Sequence, residues 1–170
     1  MTGGTRTQPS PGSWATLVAL GAAAALWSEF LWGELVVARS GGTPFCGASG
    51  SGGCAALWDA PFANAVHRLT GLPVAGWGLA WALIALVLPL IGLWRFAEGR
   101  PLPVLVTATR LVAGAGAVGV IVLAAVSASE QTLCLGCLGF YGLAAGYAGI
   151  ALFGWSEAGL PELPRAAALG

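Results

Sequence analysis

Four long apolar runs dominate this chain, and each is long enough to cross a lipid bilayer. A crossing helix needs about 20 mostly apolar residues, since the hydrocarbon layer is about 30 Å thick and a helix rises about 1.5 Å per residue. The first run is roughly Trp14 to Ala38, "WATLVALGAAAALWSEFLWGELVVA", and the second roughly Leu72 to Trp94, "LPVAGWGLAWALIALVLPLIGLW". The third is roughly Leu102 to Ala128, and the fourth roughly Leu135 to Trp155. Backbone polar groups in lipid must be paired internally, so runs of this length become helices. The expected fold is an all-α membrane protein, a four-transmembrane-helix bundle. Composition agrees, with 57% hydrophobic and 8% charged residues against the roughly 25% charged of soluble domains.

Residues 1–13 and 156–170 are polar or rich in Gly and Pro, and are expected to be tails flanking one membrane domain over 14–155. The first apolar run exceeds the 7–15 residues of a signal-peptide core, so it reads as a retained helix. There are seven Arg, no Lys and seven acids, with no basic tract, which argues against nucleic acid as a partner.

Arginine placement predicts the orientation. Arg6, Arg95, Arg100 and Arg165 lie on the side of the N-terminus, with Arg110 near it, while Arg39 and Arg68 lie opposite. The positive-inside rule then puts both termini in the cytoplasm. Trp14, Trp94 and Trp155 would form an aromatic belt at the inner interface.

The cysteines fall into two pairs. Cys46 and Cys54 follow the first run, and Cys134 and Cys137 precede the fourth. Two crossings separate the pairs, so all four thiols share one face, the outer one by the Arg bias. In a bacterium that face is oxidising and suits disulfide chemistry, which predicts the inner (plasma) membrane as the location.

Cys134 and Cys137 stand at i and i+3, one face of a helix, where its N-terminal dipole favours the attacking thiolate. An apolar span beginning beside them offers a dry wall for a lipid-soluble oxidant. The other pair, "CGASGSGGC", encloses seven residues that are all Gly, Ser or Ala. Such a segment lets Cys54 pair with Cys46 at one moment and reach elsewhere at another. Structural disulfides and a zinc or other soft-metal thiolate site are the alternatives. Leu138 rather than His follows the CxxC, which excludes c-type haem attachment.

After Cys54, "AALWDAPFANAVHRLTGLP" spaces Leu57, Phe62, Val66 and Leu69 like one short amphipathic helix lying on the membrane, able to close a pocket near Cys137. His67, the one His, is expected to face water. Glu29 and Glu34 lie within the first run, and Glu29 is deep enough to suggest proton delivery. The small residues of "GAGAVG" (114–119), with Gly142, Ala145, Gly146 and Gly149, are expected at close helix contacts, and Pro89 at a kink.

The order of these parts resembles the vitamin K epoxide reductase family, bacterial branch. A spaced Cys pair follows helix one, "TGLPVAGWGL" opens helix two, and CxxC opens helix four. The resemblance covers roughly residues 17–155. The other four-helix disulfide oxidase family carries its CxxC in the first outer loop, the reverse order.

The resemblance implies that a separate thioredoxin-fold protein on the outer face reduces the loop pair through Cys46. Cys54 then attacks Cys134, and the released Cys137 faces and reduces a quinone, menaquinone or ubiquinone. It also implies a quinone contact from Tyr141, four residues past Cys137; Asp59, Ala60, Phe62 and Val74 are further expected contacts, and no metal is expected. Two features depart from the family: Ala60 replaces the usual Ser or Thr, and helix two has no Asn.

Overall fold

The computed structural model describes residues 9–45, 53–131 and 134–154, and all of its regular structure is helical. Six helices follow in chain order: α1 (Pro11–Arg39), α2 (Gly53–Trp58), α3 (Pro61–Thr70), α4 (Val74–Ala97), α5 (Pro103–Ser129) and α6 (Leu135–Phe153). The expected contribution of Cys46 lies outside the described residues, as do Trp155, residues 1–8 and 156–170.

Four of these helices, α1, α4, α5 and α6, are long and apolar enough to span a membrane. Little of each is buried inside the protein, with Leu111, Ile121 and Leu26 all more than two-thirds exposed. Large apolar side chains on the outside and small ones within are the pattern of a bundle solvated by lipid. The chain forms an integral membrane four-helix bundle.

Local sequence sets the ends of the elements. Ser10 caps α1 by accepting a 3.1 Å hydrogen bond from the Ser13 amide, and Pro11 follows at the first helical position. That start lies inside the segment expected to be a tail. Pro103 opens α5, and Gly71, in the left-handed region at φ 74°, closes α3. Helix α4 runs through Pro89 unbroken.

In the bundle α1 packs on α4 and α6, and α5 closes the ring against the same two helices. Glycines permit the closest approaches. A Cβ on Gly21 would come within 2.8 Å of the Leu86 backbone, and one on Gly92 within 2.6 Å of the Trp14 ring. Gly116 lies under the Trp81 indole. The main core, at the end of the bundle away from the cysteines, gathers Trp14, Leu17, Leu102 and Tyr147.

Several expectations need correction. Trp14 is not part of an interfacial belt: it is fully buried in the core, filling the groove that Gly92 leaves. The small residues do not all serve packing either. Gly114, Gly119, Gly142 and Gly149 have no neighbour within 4 Å of a Cβ; Gly119 faces a cavity rather than a packed helix. The single amphipathic helix after Cys54 is two helices. Pro61 lacks an amide proton and forces its predecessor out of helical conformation, so the chain breaks at Asp59–Ala60. Helix α2 buries Gly53, Cys54 and Leu57, while no residue of α3 is fully buried.

Candidate functional site

The site lies where α2 meets the start of α6. Cys54, fully buried on α2, forms a disulfide with Cys134, with the two Cα atoms 4.6 Å apart. This bridge joins one residue from each of the two pairs across 80 residues of sequence. Cys134 is also the N-cap of α6, and its sulfur accepts a 3.2 Å hydrogen bond from the Cys137 amide. Cys137 is therefore one turn into α6 and outside the disulfide. Leu57 packs against the bridge.

The turn carrying the cysteines is held from the side. The Trp27 indole N–H on α1 donates a 2.8 Å hydrogen bond to the Gly136 carbonyl, between the two cysteines. A side chain at Gly139 would strike the Trp27 ring, so glycine there lets α1 lie this close, while one at Gly136 would displace the Leu31 side chain.

Cys137 forms part of the wall of a cavity of about 340 Å³ between α1, α4, α5 and α6, roofed by Leu57, Trp58, Phe62 and Ala63. Its lining is almost wholly apolar. A cavity of this size and character suits a flat apolar ring. Trp81 forms part of the wall, edge-on to Phe140 and Tyr147 at centroid distances of 5.8 and 5.6 Å, with its N–H committed to the Val112 carbonyl at 2.9 Å. Trp77 ties α4 to the roof by a 3.0 Å hydrogen bond to Thr70 Oγ1.

Among the expected ligand contacts, Tyr141, Phe62 and Val74 line this cavity with Cys137. The Tyr141 hydroxyl has a side-chain hydrogen bond with Ser127. Asp59 and Ala60 do not line it. Asp59 is drawn outward to Arg39 at 3.1 Å, and Ala60 is buried at the break that starts α3. Glu29 lies exposed on the outer side of α1, away from the cavity. His67, also exposed, borders a second cavity of about 540 Å³ that adjoins the first past Trp58 and Val74. Among the described residues no group of three or more His, Cys, Asp or Glu is placed to hold a metal ion.

Sequence reasoning missed Trp27, Ser28, Trp77 and Trp81. A signal was present for Ser28: it continues the stripe Gly21, Ala24, Ala25, Leu31, Leu35 at helical spacing, which is the buried face of α1.

No curated protein and no solved structure matches the chain. A family model does, over residues 14–158, which takes in all four spans and all four cysteines. Membership carries with it oxidoreductase chemistry of the membrane thiol–quinone kind. The thiol bridge, the cavity at Cys137 and this match agree, and the chain belongs to the vitamin K epoxide reductase family.

Proposed function

We propose that the protein oxidises the dithiol of a thioredoxin-like partner and reduces a membrane quinone, menaquinone or ubiquinone. The supporting observation is the Cys54–Cys134 bridge, with Cys137 one turn further on in the wall of a dry cavity. That is the arrangement expected midway through exchange between two cysteine pairs.

The cycle balances as follows. The partner dithiol reduces the Cys46–Cys54 disulfide by thiolate attack at Cys46 and leaves as a disulfide. Cys54 then attacks Cys134 of the Cys134–Cys137 disulfide, forming the bridge and releasing the Cys137 thiolate. Cys46 attacks Cys54, which restores the loop disulfide and leaves Cys134 and Cys137 as a dithiol. That dithiol passes two electrons and two protons to the quinone, giving quinol and the Cys134–Cys137 disulfide. Tyr141, Phe62 and Val74 hold the ring against Cys137. Residues 14–155 carry this chemistry, and the flanking tails take no part.

The Arg distribution supports both termini in the cytoplasm, the cysteines on the outer face of the plasma membrane, and the partner on that face. The test is quinone reduction by the purified protein in detergent, with a dithiol donor and a short-chain quinone, followed by quinone absorbance. Turnover in wild type and its loss in Cys137→Ser are expected. A wild type that turns over no quinone, or a Cys137→Ser variant as fast as wild type, overturns the reading.

A further inference from the structure

One polar group in the cavity that Cys137 lines has no part in the thiol exchange. Ser28 of α1 lines the cavity, is only 2% exposed, and makes no hydrogen bond among the described residues. A hydroxyl within a helix ordinarily turns back onto the carbonyl four residues earlier. Thr16, Thr70 and Thr107 all do so, at 2.9, 2.7 and 3.0 Å. Ser28 does not, although it lies in an apolar enclosure where an unpaired hydroxyl is costly. Thr109 is also buried and unpaired, but it lies outside this cavity.

The neighbouring position keeps Ser28 accessible. A Cβ on Gly78 of α4 would approach Ser28 Oγ to 3.3 Å and crowd it, whereas glycine leaves the hydroxyl open to the cavity. The Trp77 and Trp81 indoles are committed to Thr70 and Val112, which leaves the Ser28 hydroxyl and the Tyr141 hydroxyl, the latter bonded to Ser127, as the hydroxyl groups of the lining.

We propose that Ser28 hydrogen-bonds one carbonyl oxygen of the bound quinone. This rests on the thiol–quinone reading above and adds the group that orients the ring. An oxidised quinone is an apolar plane bearing acceptors and no donors. It needs a donor at a fixed point in an apolar wall, and Ser28 is that donor. A hydroxyl also suits the product, because it can turn and accept from the quinol O–H.

The test is Ser28→Ala, which removes one oxygen and favours the helix. KM for a short-chain quinone should rise about five- to tenfold, the factor one neutral hydrogen bond is worth. Reduction of the cysteine pairs by dithiol without quinone should be unchanged. Infrared difference spectra with quinone labelled with carbon-13 at the carbonyls should show one carbonyl band lowered in wild type and restored upward in the variant. An equal KM together with identical carbonyl bands overturns the assignment. The two readings fail separately. Absent turnover in wild type sinks the thiol–quinone reading, while bound labelled quinone without a Ser28-dependent band sinks this one.

Discussion

Trp27 shows how one side chain can position chemistry it does not perform. Its single N–H reaches the carbonyl between Cys134 and Cys137, and its ring fills the space left by Gly139. Trp27→Phe keeps most of the ring and removes the bond. It should destabilise the protein by about 1 kcal/mol, read as a lower Tm in detergent, and loosen the turn so that Cys137 alkylates faster. Asp59 is the opposite case. Its ion pair with Arg39 joins side chains that are 71% and 50% exposed, so it is worth no more than about 0.5 kcal/mol. Asp59→Asn should leave KM for quinone unchanged, as measured in the same reduction assay. At this scale the meeting of the two cysteine pairs was legible, because two crossings between them return the chain to the same face. Asp59 was not, because its partner lies 20 residues away and is brought near only by folding.

Helices explain both what was read correctly and what was not. The spans α1, α4, α5 and α6 were legible because lipid imposes a length and a composition on any crossing segment. The division between α2 and α3 was underestimated, since the apolar spacing continues across Pro61 while the backbone does not. Glycine roles were illegible because composition does not say which side of a helix meets a neighbour. This yields a paired prediction. Gly21→Ala places a methyl group against the Leu86 backbone and should cost about 1–3 kcal/mol of stability. Gly149→Ala meets open space and should be neutral or stabilising by up to about 1 kcal/mol. Unfolding of both variants in mixed micelles checks the contrast, and equal losses would contradict the packing described.

At the scale of the whole molecule, an even number of crossings returns the chain to its starting side, and the bridge requires Cys54 and Cys134 to share the other. Reporters inserted between α1 and α2 and between α4 and α5 should therefore lie on opposite faces. The Arg bias predicts that the α4–α5 connection, with Arg100, is the cytoplasmic one. The same bridge has a consequence for biosynthesis. It links residues 80 apart, with two complete spans between them. At roughly 5–20 residues per second, Cys54 is made about 4–16 s before its partner exists. No local pairing during insertion can supply that bond. The bond can close only after Cys134 has been made and brought to the side where Cys54 already lies, so the redox centre is assembled only when most of the protein exists.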